Sequence, residues 1–230
     1  MLAYVYGDRQ DVTGFEDYFR PERTVVLSLG MTRGHLDDPA ESTCPAPRGL
    51  DIVKAVDDFH IEARQLAIPV VHVRTVLRPQ KVEAKHAWTR VMPLVVGAIP
   101  NIEKNALEGS RWIEFLTQIE PGDFPVAKKG MSAFTHSDLD FLLKSLNADT
   151  VVIDGILSEC CVLNTAFDAS NLRYKVVVVQ DLTRGYSPDT EAATLKIVSL
   201  HLGLVVDARE IASMWSRAGE PRATLLEARR

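Results

Sequence analysis

The chain has 230 residues, 46% of them hydrophobic and 25% charged, which is ordinary soluble-globular usage and long enough to bury a core without covalent staples. A formal charge of −5 with no dense basic run argues against nucleic acid as a partner, and no apolar run reaches the ~20 residues of a membrane span. Three cysteines (Cys44, Cys160 and Cys161), two of them adjacent, make a poor disulfide framework and read as reduced thiols of a cytoplasmic protein.

The N-terminus lacks the basic region and apolar length of a signal peptide. The first strong strand is 24–29, Thr-Val-Val-Leu-Ser-Leu, rich in β-branched and aliphatic residues and stopped by Gly30. Apolar residues at Leu50, Val53, Val56, Phe59, Ile61 and Leu66 predict a helix over 48–67. Pro69 opens a second strand over 70–75. Pro79, Pro93, Pro100 and Pro121 punctuate 78–122, a stretch too long for a plain loop and expected to hold short helices and substrate-facing loops.

A short strand over 124–127 then precedes Lys128. Thr135-His136-Ser137-Asp138 resembles a capping box, opening a helix to about 146. A strand at 150–154, a helix at 160–171 and a strand at 175–179 follow. Ser187-Pro188 is an N-cap with proline at the first helical position. A strand over 202–206 and a helix over 208–216 complete the series. Continuously apolar strands alternating with helices predict a three-layer α/β fold: a mostly parallel sheet of about six strands with helices on both faces. The chain shows no internal repeat or linker, so one domain over 1–230 is expected. Such sheets carry their sites at the carboxyl ends of strands, which singles out Gly30, Arg74-Thr75, Lys128 and 155–161.

Residues Gly155-Ile156-Leu157-Ser158-Glu159-Cys160-Cys161-Val162 link an apolar strand to a helix. A cysteine at a helix N-terminus faces unpaired N–H groups and the positive end of the helix dipole, which favour the thiolate. The same N–H groups suit an oxyanion. The plainer alternative is that Cys161 is a small apolar residue packed on a helix. Lys128-Lys129, taken alone, reads as solvated surface.

The run Gly155-Ile156-Leu157-Ser158-Glu159-Cys160-Cys161-Val162-Leu163-Asn164-Thr165-Ala166-Phe167-Asp168-Ala169 resembles the nucleophile segment of the isochorismatase-like cysteine hydrolases. Tyr174-Lys175-Val176-Val177-Val178-Val179-Gln180-Asp181 matches as well. The resemblance covers about 22–217 and leaves short extensions at both ends. It implies that Cys161, the cysteine before the valine, is the nucleophile and Cys160 its neighbour. It implies that Lys128, six residues before the phenylalanine of Ser132-Ala133-Phe134, is the lysine beside the nucleophile, as in relatives of the carbamoylsarcosine amidohydrolase, biuret hydrolase and ureidoacrylate hydrolase type. It further implies a cis Ile156–Leu157 peptide and an oxyanion site between the Leu157 and Cys161 N–H groups. Homodimers or homotetramers are the assemblies of such relatives.

The third residue implied by the resemblance, an acid–base aspartate at the end of the first strand, falls on Gly30. A glycine cannot move a proton. Three explanations stand open: altered or absent chemistry, a substitution introduced at the site, or another acid in place of the missing one. Asp37, Asp38 and His35 are nearest in sequence, but a direct replacement needs a fold-back that the sequence does not give; Glu159 is near Cys161, but the resemblance implies an acid there even in relatives with the aspartate intact, which makes it a weak substitute. On the family's backbone, Gly30→Asp is expected to fit and to raise turnover by at least about tenfold.

Arg74 is a candidate for pairing with a substrate carboxylate, with a surface role as the alternative. Trp88, Phe134 and Ile156, with His86 and Trp112, are candidates to line a pocket, with ordinary packing as the alternative. His72 reads as a packed strand histidine in place of a nicotinamidase-type metal ligand, and no Gly-rich phosphate loop is present. No metal and no cofactor are therefore expected. The expected function is hydrolysis of an amide or ureido C–N bond in a small molecule through a cysteine thioester. The alternative is a non-catalytic member that binds a small molecule or a partner.

Overall fold

The computed structural model describes residues 1–79, 87–99 and 101–219. In chain order the strands and α-helices are β1 (Leu2–Val5), β2 (Asp8–Asp11), β3 (Thr24–Leu29), α1 (Arg33–Leu36), α2 (Val53–Gln65), β4 (Val70–Thr75), α3 (Trp88–Val96), β5 (Phe124–Lys128), α4 (Leu139–Ser145), β6 (Thr150–Ile156), α5 (Leu163–Asn171), β7 (Lys175–Arg184), α6 (Pro188–Ile197), β8 (Gly203–Val206) and α7 (Ala208–Gly219). Six strands form one sheet in the order β5-β4-β3-β6-β7-β8, and every pairing in it is parallel.

Alternation along each strand divides the core in two. Val26, Val70, Val152, Val177 and Val206 face α2 and α7, where Phe59 and Trp215 stack with ring centroids 5.3 Å apart. Val25, Val71, Val151, Val176 and Val205 face the other way, toward α4 and α5 with Leu139, Leu143 and Ala166. Both faces are buried, so the strands read as unbroken apolar runs.

Several bounds differ from the sequence reading. The helix expected over 48–67 begins with a 3-10 turn, Pro47–Ile52, before α2 starts. The helix expected after Thr135 starts at Leu139, because His136 adopts a positive φ of 49° that breaks any earlier helical turn. The helix expected from about 160 begins as a π-turn, Ser158–Val162, which runs into α5. The N-terminal extension forms the hairpin β1–β2, with Tyr4 Oη donating to Asp207 at 3.1 Å and Leu2 N–H donating to Glu210 at 3.1 Å.

The strand order reverses between β3 and β6. The connections leaving those two neighbours run in opposite directions across the sheet, which opens a crevice at their carboxyl ends. Gly30 follows β3 there, and the segment that carries Cys161 follows β6.

Candidate active site

A cavity of about 370 Å³ opens at that crevice. Gly30, His35, Lys128, Leu157, Cys160 and Cys161 meet in it, with Trp88, Trp112 and Met131 among its walls. Cys161 lies in the π-turn that heads α5, the kind of local irregularity that recurs at functional sites. The Ile156–Leu157 peptide before it is cis.

Lys128 ends β5 and is only 1% exposed, so it is no surface lysine. Its Nζ donates to Gly130 O at 2.6 Å and Met131 O at 2.9 Å, and its remaining proton faces Cys161 Sγ at 3.4 Å. The loop that bends around this ammonium is tied to α5, since Ala133 N–H donates to Thr165 Oγ1 at 2.9 Å. A lysine ammonium fixed on two carbonyls beside a sulfur favours the thiolate form of that sulfur.

The neighbouring Cys160 thiol, then Lys128 and His35, hold the Cys161 thiol well below its ordinary value against the opposing effect of burial. Cys160 is pushed the other way, chiefly by its bond to Cys161. Burial pushes Cys44, which also lines the cavity, up to about 12. Of the three free thiols, Cys161 is the one whose thiolate form is favoured.

Two other expected contributors lie elsewhere. Arg74 does not line the cavity; its guanidinium donates to Ile113 O at 2.8 Å and lies 4.9 Å over the Phe115 ring. Phe134 stacks on Tyr174 in the core at 6.0 Å, also away from the cavity. Ile156 is fully buried and packs beneath Gly30 and Gly49. Trp88, at the start of α3, does reach the cavity wall, as does Trp112. His86 lies outside the described residues. His72 is buried in β4, where its Nε2 meets Asp123 at 3.0 Å. Among the described residues no cluster of three or more His, Cys, Asp and Glu side chains is placed to hold a metal.

Gly30 overturns one expectation. It adopts φ +69°, and a Cβ built on it would stand 2.5 Å from Ile156 O. The backbone at the end of β3 therefore does not accept an aspartate without moving. The same left-handed turn sends the chain back over the sheet ends. Gly30 N–H donates to Val73 O at 2.9 Å and Thr32 N–H to Gly30 O at 2.7 Å; the single turn of α1 follows. That fold-back carries His35 into the cavity, a placement the sequence reading did not derive.

The chain belongs to the isochorismatase family, whose domain it matches over residues 24–210. It is 30% identical over 215 residues to the ureidoacrylate amidohydrolase RutB of Agrobacterium fabrum, with 86% of this chain and 92% of that protein covered. It is 33% identical over 94 residues to an uncharacterized isochorismatase family protein, YwoC, of Bacillus subtilis, a match that takes in 40% of this chain and 50% of that one. The fold is shared with a cysteine hydrolase from Pseudomonas syringae at TM-score 0.76 and 19% identity, covering 86% of this chain and 95% of that structure.

Proposed function

We propose that the chain hydrolyses the C–N bond of a small amide or ureide through a thioester on Cys161. The observation that carries this reading is the buried Lys128 ammonium 3.4 Å from the Cys161 sulfur, at a helix head inside a cavity. The thiolate attacks the carbonyl carbon, and the Leu157 and Cys161 N–H groups hold the resulting oxyanion. The C–N bond breaks, the nitrogen leaves with a proton as amine or ammonia, and water then cleaves the thioester to a carboxylic or carbamic acid. Leu77, Trp88, Val91, Met92 and Trp112 give the cavity apolar walls, which fit a substrate with an uncharged apolar body. A name among the relatives, ureidoacrylate amidohydrolase, supports the bond type. The free thiols suit a cytoplasmic setting, and the exposed Leu94 and Val95 on α3 suit subunit contact in a homodimer or homotetramer.

The test is a panel of primary amides, N-alkyl amides and ureides, followed for ammonia or amine release and for an acyl adduct on Cys161 by mass spectrometry. Turnover that Cys161→Ala abolishes is the expected result. Binding of panel members with neither turnover nor adduct would favour the non-catalytic reading that a glycine at position 30 keeps open.

A further inference from the structure

Taking the cysteine-hydrolase reading as its ground, we propose that His35 carries the proton in this site, through Nε2, in place of a strand-end carboxylate. The acids nearest in sequence to Gly30 and to Cys161 are otherwise engaged. Asp37 pairs with Arg33 at 3.1 Å and Arg111 at 3.5 Å, and Asp38 accepts from Ala40 N–H at 2.9 Å. Glu159 reaches the cavity, but its two oxygens accept from Ser158 Oγ and Tyr186 N–H, both at 2.9 Å. His35 shares the cavity with Cys161 and is half-buried.

Its ring is also oriented. Nδ1 lies 2.9 Å from Cys44 O, an acceptor only, so Nδ1 carries the hydrogen and Nε2 keeps its lone pair. The mount is rigid: Ser42 Oγ and Cys44 N–H both donate to Gly34 O, at 2.6 and 2.9 Å, and Ala46 N–H donates to His35 O at 2.9 Å. Gly34 permits it, because a Cβ there would stand 2.9 Å from Trp112 O. Burial lowers the imidazole from its ordinary value, opposed by the Cys161 charge and the Cys44 carbonyl and assisted by Lys128.

The proton balance closes on this one group. Nε2 takes the proton that the Cys161 thiol gives up in forming the thiolate, and the imidazolium gives it to the departing nitrogen as the C–N bond breaks. Nε2 then takes a proton from the attacking water and returns it to sulfur as the C–S bond breaks. The ring ends as it began, and the net reaction is amide plus water to acid plus amine.

The other titratable groups lining this cavity are Cys44, Lys128, Glu159, Cys160 and Tyr186, and the test leaves all of them unchanged while His35 is varied. Alkylation of Cys161, mapped by mass spectrometry from pH 4 to 10, is compared in wild type, His35→Asn and His35→Gln. Asn retains an N–H for Cys44 O but offers no base. Both variants should show a single titration, with its midpoint raised by about one pH unit or more as the imidazolium is lost. Their turnover should fall ~10²- to 10⁴-fold with KM changed little, and imidazole in the buffer should restore part of it to His35→Ala. Superimposable alkylation profiles in folded variants would overturn the proposal, whatever the chain does to amides. Full turnover by His35→Asn, with Cys161→Ala inert, would overturn it and leave the hydrolase reading standing. A raised midpoint in a chain that cleaves no amide would uphold the pair and remove the hydrolase reading.

Discussion

Lys128 holds three acceptors with three protons, and only the sulfur among them can change its charge. Lys128→Met keeps the length of the stem but leaves two part-buried carbonyls and a thiolate without this donor. Its expected effect is a rise of at least about one pH unit in the Cys161 alkylation midpoint, since an adjacent opposite charge is typically worth 1–3 units. In the unaltered chain Cys161 should label before Cys44, whose thiol lies near 12; equal labelling would remove the nucleophile assignment. Gly30 leads to the opposite outcome from the one its sequence position implies. With φ +69° and Ile156 O 2.5 Å from any Cβ, Gly30→Asp should lower unfolding free energy by at least ~1–3 kcal/mol and bring no gain in turnover. Urea denaturation and the amide panel check both halves, and a stable, faster Gly30→Asp would refute them. That Cys161 and Lys128 would meet in one cavity was legible, because Lys128 closes one strand and Cys161 lies in a motif that follows another. His35 was not, because its position depends on a left-handed glycine turn that no periodicity records.

Elements whose identity comes from local chemistry were the readable ones. Ser187 and Thr190 form a reciprocal capping box: Ser187 Oγ accepts from Thr190 N–H at 3.2 Å, and Thr190 Oγ1 from Ser187 N–H at 3.1 Å. Ser187→Ala should cost α6 about 1 kcal/mol of stability, read from the shift of the urea midpoint. No change would mean that tertiary packing alone fixes that helix start. The apolar strands were equally plain, since burial on both faces leaves little room for polar residues. Short or broken elements were not. α1 has four residues, too few to show a period, and the positive φ at His136 moved the start of α4 past the apparent capping box. β1–β2 escaped because one strand of the pair, Asp8–Asp11, has no buried residue.

Across the sheet, the parallel order that opens the crevice holding Cys161 also buries a polar row beneath it. Ser28 on β3 stands in register with His72 on β4 and Asp154 on β6. His60 from α2 covers the row, with Nε2 2.9 Å from Asp154 and its ring 5.3 Å from that of His72. His72 in turn meets Asp123, which Arg64 holds from the other side at 2.7 Å. Burial, and then His60, lower His72 below its ordinary value, against the pull of Asp123 and Asp154. A histidine lowered by folding is kept neutral in the native state and takes a proton more readily when unfolded. Below the unfolded value of about 6.5, the unfolded chain therefore binds more protons, and stability falls with falling pH until the folded ring also titrates. His35, lowered by burial as well, contributes with the same sign. Asp123 is lowered too, because the bonds from Arg64, the Glu120 N–H and His72 outweigh its burial. Its contribution is present above the ordinary carboxylate value and lost only in more acid solution. Unfolding free energy measured in urea should thus decline from pH 7 to pH 5, with each lowered histidine adding a slope of at most about 1.4 kcal/mol per pH unit. His72→Gln, whose amide still donates to Asp123, should flatten that decline, and His35→Asn should flatten it further. An unchanged slope in both variants would place the acid sensitivity elsewhere.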